Sequence, residues 1–230
     1  TFAWPAFTIR LPEDETPVVK RFSDLSDIDL VLLVSPASVA AVAHWVDHWP
    51  SHVTLATVGE GTARVARAAW GESVPIIYPA GDAAHSGSEA LMAELRKRGI
   101  PSRVLICRGQ TGREWLSEEL LSEGADVQKL MCYERLPLQL TVLQEDELRE
   151  AMKGPAPVTY ITSSEAIVSL LRAVHPVEGA WEWITSGAAV VIHPRSESKV
   201  LEAGFHLVRM SSPIDDEVEK NVIACAEGLG

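Results

Sequence analysis

LVLLVSP at residues 30–36 and LATVGEGT at 55–62 are short apolar runs that end in a hydroxyl or a glycine, and the pair returns as VTYITSS at 158–164 and AVVIHPRS at 189–196. Each reads as a strand running into a helix. The spacing repeats as well: Gly59 to Thr62 and His193 to Ser196 are both three residues apart, and Gly71 and Gly204 follow where a glycine can end the helix. Two similar α/β units are implied. Each presents hydroxyls and unpaired backbone N–H groups where a strand turns into a helix, the place where open α/β sheets bind ligands.

Working outward, β-branched runs at 30–34, 53–58, 74–79, 104–107 and 127–133 alternate with helical patterns at 36–48, 61–70, 88–98 and 113–122. This is a complete parallel α/β unit, and Gly71, Gly99 and Gly124 sit where C-terminal caps belong. The second half is thinner. Strands are expected at 158–162, 188–193 and 206–210, with helices at 164–173, 195–203 and 215–227. The acidic runs Glu145-Asp-Glu147 and Asp215-Asp-Glu217 read as solvated helix starts that suit the helix dipole.

The chain opens Thr1-Phe-Ala-Trp-Pro, without Met, and a three-strand second unit is short. The expectation is a discontinuous second unit that lacks an N-terminal strand and helix. The units are expected at 13–129 and at 1–6 with 138–230, crossed by extended segments 7–12 and 130–137, which end in proline and pair as a two-stranded connector.

Composition excludes several functions. A net charge of −12 argues against nucleic acid and anionic membrane surfaces, which demand clustered Lys and Arg. No apolar run is long enough to span a bilayer and no signal-peptide pattern opens the chain, so the cytoplasm is expected. Cys107, Cys132 and Cys225 are far apart and outside any C-x-x-C spacing, and read as reduced and buried. His44, His48 and His52 have metal-ligand spacing, but Pro50 breaks the helix and no further ligand joins them, so they read as surface residues.

The remaining motifs carry two readings each. Gly59-Glu-Gly61-Thr62 places glycines at a strand-to-helix turn but lacks both the P-loop ending and the dinucleotide spacing; Thr62 alone is also a plain helix cap. Arg108-Gly-Gln-Thr-Gly-Arg113 offers two arginines for a carboxylate and glycines for close approach, or is an ordinary loop. Tyr133 ends a strand on a crossing between units, as a cleft residue or as a packed hinge aromatic.

Taken in order, Ser35-Pro36, Val58-Gly59-x-x-Thr62-Ala63, Ser88-Glu89-Ala90-Leu91, Arg108-Gly109 with Arg113-Glu114, and Cys132-Tyr133-Glu134-Arg135 resemble the uroporphyrinogen-III synthase family over nearly all of the chain. The resemblance implies two flavodoxin-like parallel-sheet α/β lobes joined by a β ladder, one lobe built from both chain ends. It implies a cofactor-free, monomeric lyase that cyclises the linear tetrapyrrole hydroxymethylbilane to uroporphyrinogen III, losing water and inverting ring D. Ser35, Thr62, Tyr133, Ser163 and Ser196 fall on family cleft positions, and Gly59 on the turn beside Thr62. Tyr133 is the expected proton donor, because a tyrosine hydroxyl carries its proton at neutral pH. Substrate contacts are expected from Ser35, Gly59, Thr62, Arg108, Gly109, Ser163, Ser164, His193, Arg195 and Ser196, with no metal. Four positions depart from the pattern: His193 stands where Gly is usual, Ser164 replaces Pro, and Ser196-Glu197 replaces Thr-Ala. His193 and Arg195 are then candidate cationic donors. The alternative is a two-lobed binding or sensor protein that holds a carboxylated or phosphorylated ligand without turnover.

Overall fold

The computed structural model describes residues 2–79, 87–112, 114–212 and 214–228. The chain divides into two compact units, Ile9–Arg135 and Thr1–Thr8 with Leu136–Gly230.

In the first of these, β2 (Leu30–Leu33), β3 (Thr54–Thr57), β4 (Ile76–Ile77), β5 (Arg103–Gly109) and β6 (Asp126–Pro137) alternate with α2 (Pro36–Ala43), α3 (Glu60–Trp70), α4 (Ser88–Arg98) and α5 (Trp115–Ser122). They follow β1 (Phe7–Arg10) and α1 (Thr16–Ser23). The sheet runs β1-β6-β5-β2-β3-β4, and the β6-β5, β5-β2, β2-β3 and β3-β4 pairs are all parallel. Counted from β2 the parallel part has the doubly wound order 3-2-1-4-5, in place of the flavodoxin order 2-1-3-4-5, so the chain reverses its winding between β2 and β5. Every residue of β2 is buried, as a central strand covered on both faces requires. One cluster built on Val31, Leu33 and Cys107 and another on Leu30, Leu32 and Ile106 form the two layers of core.

In the other unit, β7 (Val158–Ile161), β8 (Ala188–Val191) and β9 (Leu207–Met210) form a parallel three-stranded sheet with α6 (Val142–Ala151), α7 (Ser164–Val174), α8 (Ala180–Thr185), α9 (Pro194–Glu202) and α10 (Asp215–Ala226). Its core gathers Ile161, Ile167, Val191, Val200 and Phe205. Ala6 belongs here too: its carbonyl accepts from the Leu138 N–H at 2.9 Å and from the Ser169 hydroxyl at 2.6 Å.

The repeat read from the sequence is repeated geometry. Ser35 caps α2 with φ −164° and ψ 161°, and Ser163 caps α7 with φ −158° and ψ 161°. Each hydroxyl accepts a hydrogen bond from the backbone N–H three residues on.

Some expected boundaries shift. The α2 helix stops at Ala43 rather than 48: the N–H groups of His44 and Trp45 tighten onto the carbonyls three residues back, Ala41 and Val42, and the Trp45 indole donates to Glu15 at 2.7 Å. The β8 strand ends at Val191 because His193 becomes the cap of α9. The α1, α6 and α8 helices lie outside the expected elements, apart from the acidic start read at Glu145. Of these α6 carries a legible signal, since Thr141 and Gln144 form a reciprocal capping box.

Candidate active site

A cavity of about 340 Å³ opens in the Ile9–Arg135 unit, lined by Ser35, Gly87, Ser88, Arg108, Thr111, Gly112, Ser117, Tyr133 and Arg135 over an apolar floor of Val34, Val58, Ile106 and Leu116. It lies at the carboxyl ends of β2, β3 and β5, across the point where the winding reverses. Parallel strands all end on one side there, and the loops that leave them diverge and expose a crevice.

A register shift between β5 and β6, with Cys132 of β6 as the extra residue, sets the central side chain. Ladder pairing runs evenly from Arg103 opposite Asp126 to Arg108 opposite Met131, then skips so that Gly109 faces Tyr133. Gly109 has room for nothing larger, because a Cβ there would stand 2.9 Å from Cε2 of the Tyr133 ring. Tyr133 is 6% exposed and packs in the core beside Val31, Leu33 and Cys132. Its phenol oxygen lies 3.2 Å from the Ser35 hydroxyl, and either atom can donate. When Ser35 donates, the phenolic proton is left for a group in the pocket.

Arg108 carries the positive charge. Its side chain is 12% exposed, and Nη1 donates to Glu114 Oε1 at 2.7 Å. Glu114 also accepts from Lys129 Nζ at 2.9 Å and from the Ser117 hydroxyl at 3.2 Å. Lys129 first and Arg108 second hold its carboxyl down to about 2, so it stays ionised at any working pH. Behind this cluster, Gln110 treats Arg135 as a neighbouring strand would: its amide donates to the Arg135 carbonyl at 3.1 Å and its oxygen accepts from the Arg135 N–H at 2.9 Å.

The cavity thus joins Ser35, Arg108 and Tyr133, with Gly109 against the Tyr133 ring. Ser88, Thr111, Ser117 and Arg135 join them as polar lining that the sequence does not single out for contact. The motif Ser88-Glu89 and the proximity of Arg135 to Tyr133 are the available signals. Gly59 and Thr62 are not part of the described lining. Gly59, not Thr62, is the N-cap of α3, with extended backbone (φ 178°, ψ 169°), and Thr62 sits three residues on, 5% exposed. Arg113 lies outside the described residues.

In the other unit Ser163 and Ser164 open α7, both half-buried, and Ser196 is 2% exposed in the first turn of α9, the position Thr62 holds in α3. His193 stands where α3 has Gly59, and its extended backbone (φ −148°, ψ 138°) admits a side chain. His193 Nδ1 accepts from the Arg195 N–H at 3.1 Å. His193 and Arg195 are both exposed.

Among the described residues no cluster of three or more His, Cys, Asp or Glu has the arrangement to hold a metal ion. His44, His48 and His52 are all exposed. All three cysteines are free and buried. No helix in the described residues is long and apolar enough to cross a membrane.

A pocket of hydroxyls and guanidinium groups at the switch of a doubly wound sheet, with a second α/β unit in the same chain, defines a two-unit α/β protein suited to a small carboxylated ligand. The sequence model of the family described as "Uroporphyrinogen-III synthase HemD" matches residues 1–217, and the chain belongs to that family. It is 25% identical over 215 residues to the uroporphyrinogen-III synthase of Escherichia coli K12, a match covering 90% of this chain and 83% of the relative. To that of Salmonella typhimurium LT2 it is 26% identical over 202 residues, covering 86% and 79%. Its fold resembles the crystal structure of uroporphyrinogen-III synthetase from Helicobacter pylori 26695, with TM-score 0.65 at 14% identity over 95% of this chain and 90% of that one. A mutant uroporphyrinogen III synthase from the extremely thermophilic bacterium Thermus thermophilus gives TM-score 0.58, also at 14% identity, over 98% and 88%.

Proposed function

We propose that this chain closes hydroxymethylbilane to uroporphyrinogen III, losing water and inverting ring D, as a cofactor-free lyase. The observation that carries the reading is the placement of Tyr133: a nearly buried phenol, tied to the capping Ser35, beside the β6 bulge at Cys132 and lining a pocket that also holds Arg108.

In this reading the substrate's own pyrrole nitrogen expels the terminal hydroxyl. The Tyr133 phenol gives the proton that lets it leave as water, so no external electron carrier is called for. Arg108, the hydroxyls of Ser35, Ser88 and Thr111, and the turn residues Gly59, Thr62, Ser163, Ser164 and Ser196 hold acetate and propionate side chains. His193 and Arg195 are the remaining proposed substrate contacts. Posture decides the product, since ring D must be attacked at its substituted carbon. A hundredfold preference over closure without inversion needs about 2.7 kcal/mol of differential stabilisation, within reach of a few hydrogen bonds.

Units at 13–129 and at 1–6 with 138–230, crossed at 7–12 and 130–137, belong to the same proposal, as does a monomer working in the cytoplasm on a small tetrapyrrole, without nucleic acid or membrane. Three buried free thiols support a reducing compartment.

Incubation with enzymatically generated hydroxymethylbilane, oxidation and separation of isomers tests the reading. The type III isomer is expected in excess. Type I alone, at the uncatalysed rate, would leave a binding protein.

A further inference from the structure

Lys129 has no place in the reaction above, and its position gives it one. It lies on β6, half exposed and outside the pocket lining, with Nζ 2.9 Å from Glu114 Oε2, while Arg108 holds the other oxygen, Oε1, at 2.7 Å from inside the pocket. A lone Arg108–Glu114 pair would be neutral and would offer a carboxylate little net attraction. With Lys129 sharing the same carboxylate, two cations among the described residues face one anion and the cluster keeps a positive charge beside the pocket.

We infer that Lys129 is a positioning residue: by sharing the charge of Glu114 it leaves the Arg108 charge less neutralised toward a carboxylated ligand that Lys129 itself does not touch. The inference rests on reading the pocket as the tetrapyrrole site. It makes a signed prediction that a simple structural ion pair does not. Lys129→Met returns the charge of Glu114 to Arg108 and weakens the ligand. Glu114→Gln keeps an acceptor for Arg108 Nη1, removes the opposing charge and tightens it. Together the two changes cancel. If the cluster only braced the loop, each single change would weaken binding and the double variant would be weakest.

The test titrates wild type, Lys129→Met, Lys129→Arg, Glu114→Gln and the double variant with uroporphyrin III, an eight-carboxylate tetrapyrrole, by its fluorescence at fixed ionic strength. KM and kcat on hydroxymethylbilane are measured in parallel. For Lys129→Met, Kd and KM are expected to rise about three- to tenfold with kcat within about twofold, the scale for a partly screened charge near the ligand. Lys129→Arg restores both, Glu114→Gln lowers both, and the double variant returns to within about twofold of wild type. An unchanged Kd in Lys129→Met, or weakening in all three charge-altering variants, overturns the inference. A wild-type chain that makes no type III isomer while the porphyrin titration keeps the signed pattern overturns the synthase reading and leaves the charge sharing intact.

Discussion

At the scale of single residues, Tyr133 and its neighbours show how much of a site is written in local chemistry. A tyrosine ending a strand after a cysteine is visible as a candidate; that its ring lies flush on Gly109 and its hydroxyl meets Ser35, 98 residues away, is not. Ser35 and Arg108 are legible because a strand-ending hydroxyl and a strand-ending arginine are recognisable types. Ser117, buried and bonded to Glu114, is not, because its direction depends on how the chain after β5 folds back over that strand. Tyr133→Phe keeps the packing and removes the proton. Turnover is expected to fall on the order of 10²-fold with product affinity nearly unchanged, as measured by initial rates and by titration with uroporphyrinogen III. Full activity in that variant would take Tyr133 out of the mechanism.

Elements tell the same story one level up. Helix starts are readable wherever a side chain makes its own cap. Ser35 with Pro36, Ser163, and the acidic first turn of α10 all stand where sequence places them. Ser35→Ala and Ser163→Ala should each cost about 1 kcal/mol in urea unfolding, the usual worth of an N-cap. Ser35→Ala should in addition slow turnover, because the phenol loses its partner; equal rates in wild type and variant would separate the cap from the chemistry. What escapes the sequence is governed by contacts beyond the element. The α2 helix ends early because Trp45 finds Glu15. The α1 and α8 helices are short and lean on packing more than on propensity, which is typical of helices too brief to stand alone.

For the whole molecule, charge is the feature with a measurable consequence. The chain carries −12, and the substrate of the proposed reaction is a polyanion. Encounter is therefore opposed at long range and recognition falls to local donors in the pocket. Association in stopped flow should quicken as added salt brings the Debye length below about 10 Å. A rate that falls with salt would mean that Arg108, Arg135 and Lys129 steer the ligand from afar. The sequence alone determined that there are two α/β units, because apolar strand, capping hydroxyl and terminal glycine are signals that act within a dozen residues and recur in order. Only the tertiary structure decided the strand order, the skip in register at Gly109 and the meeting of Ser35, Arg108 and Tyr133 around one cavity. Those depend on which strands pair across long stretches of chain, and burial of the shared core selects that pairing.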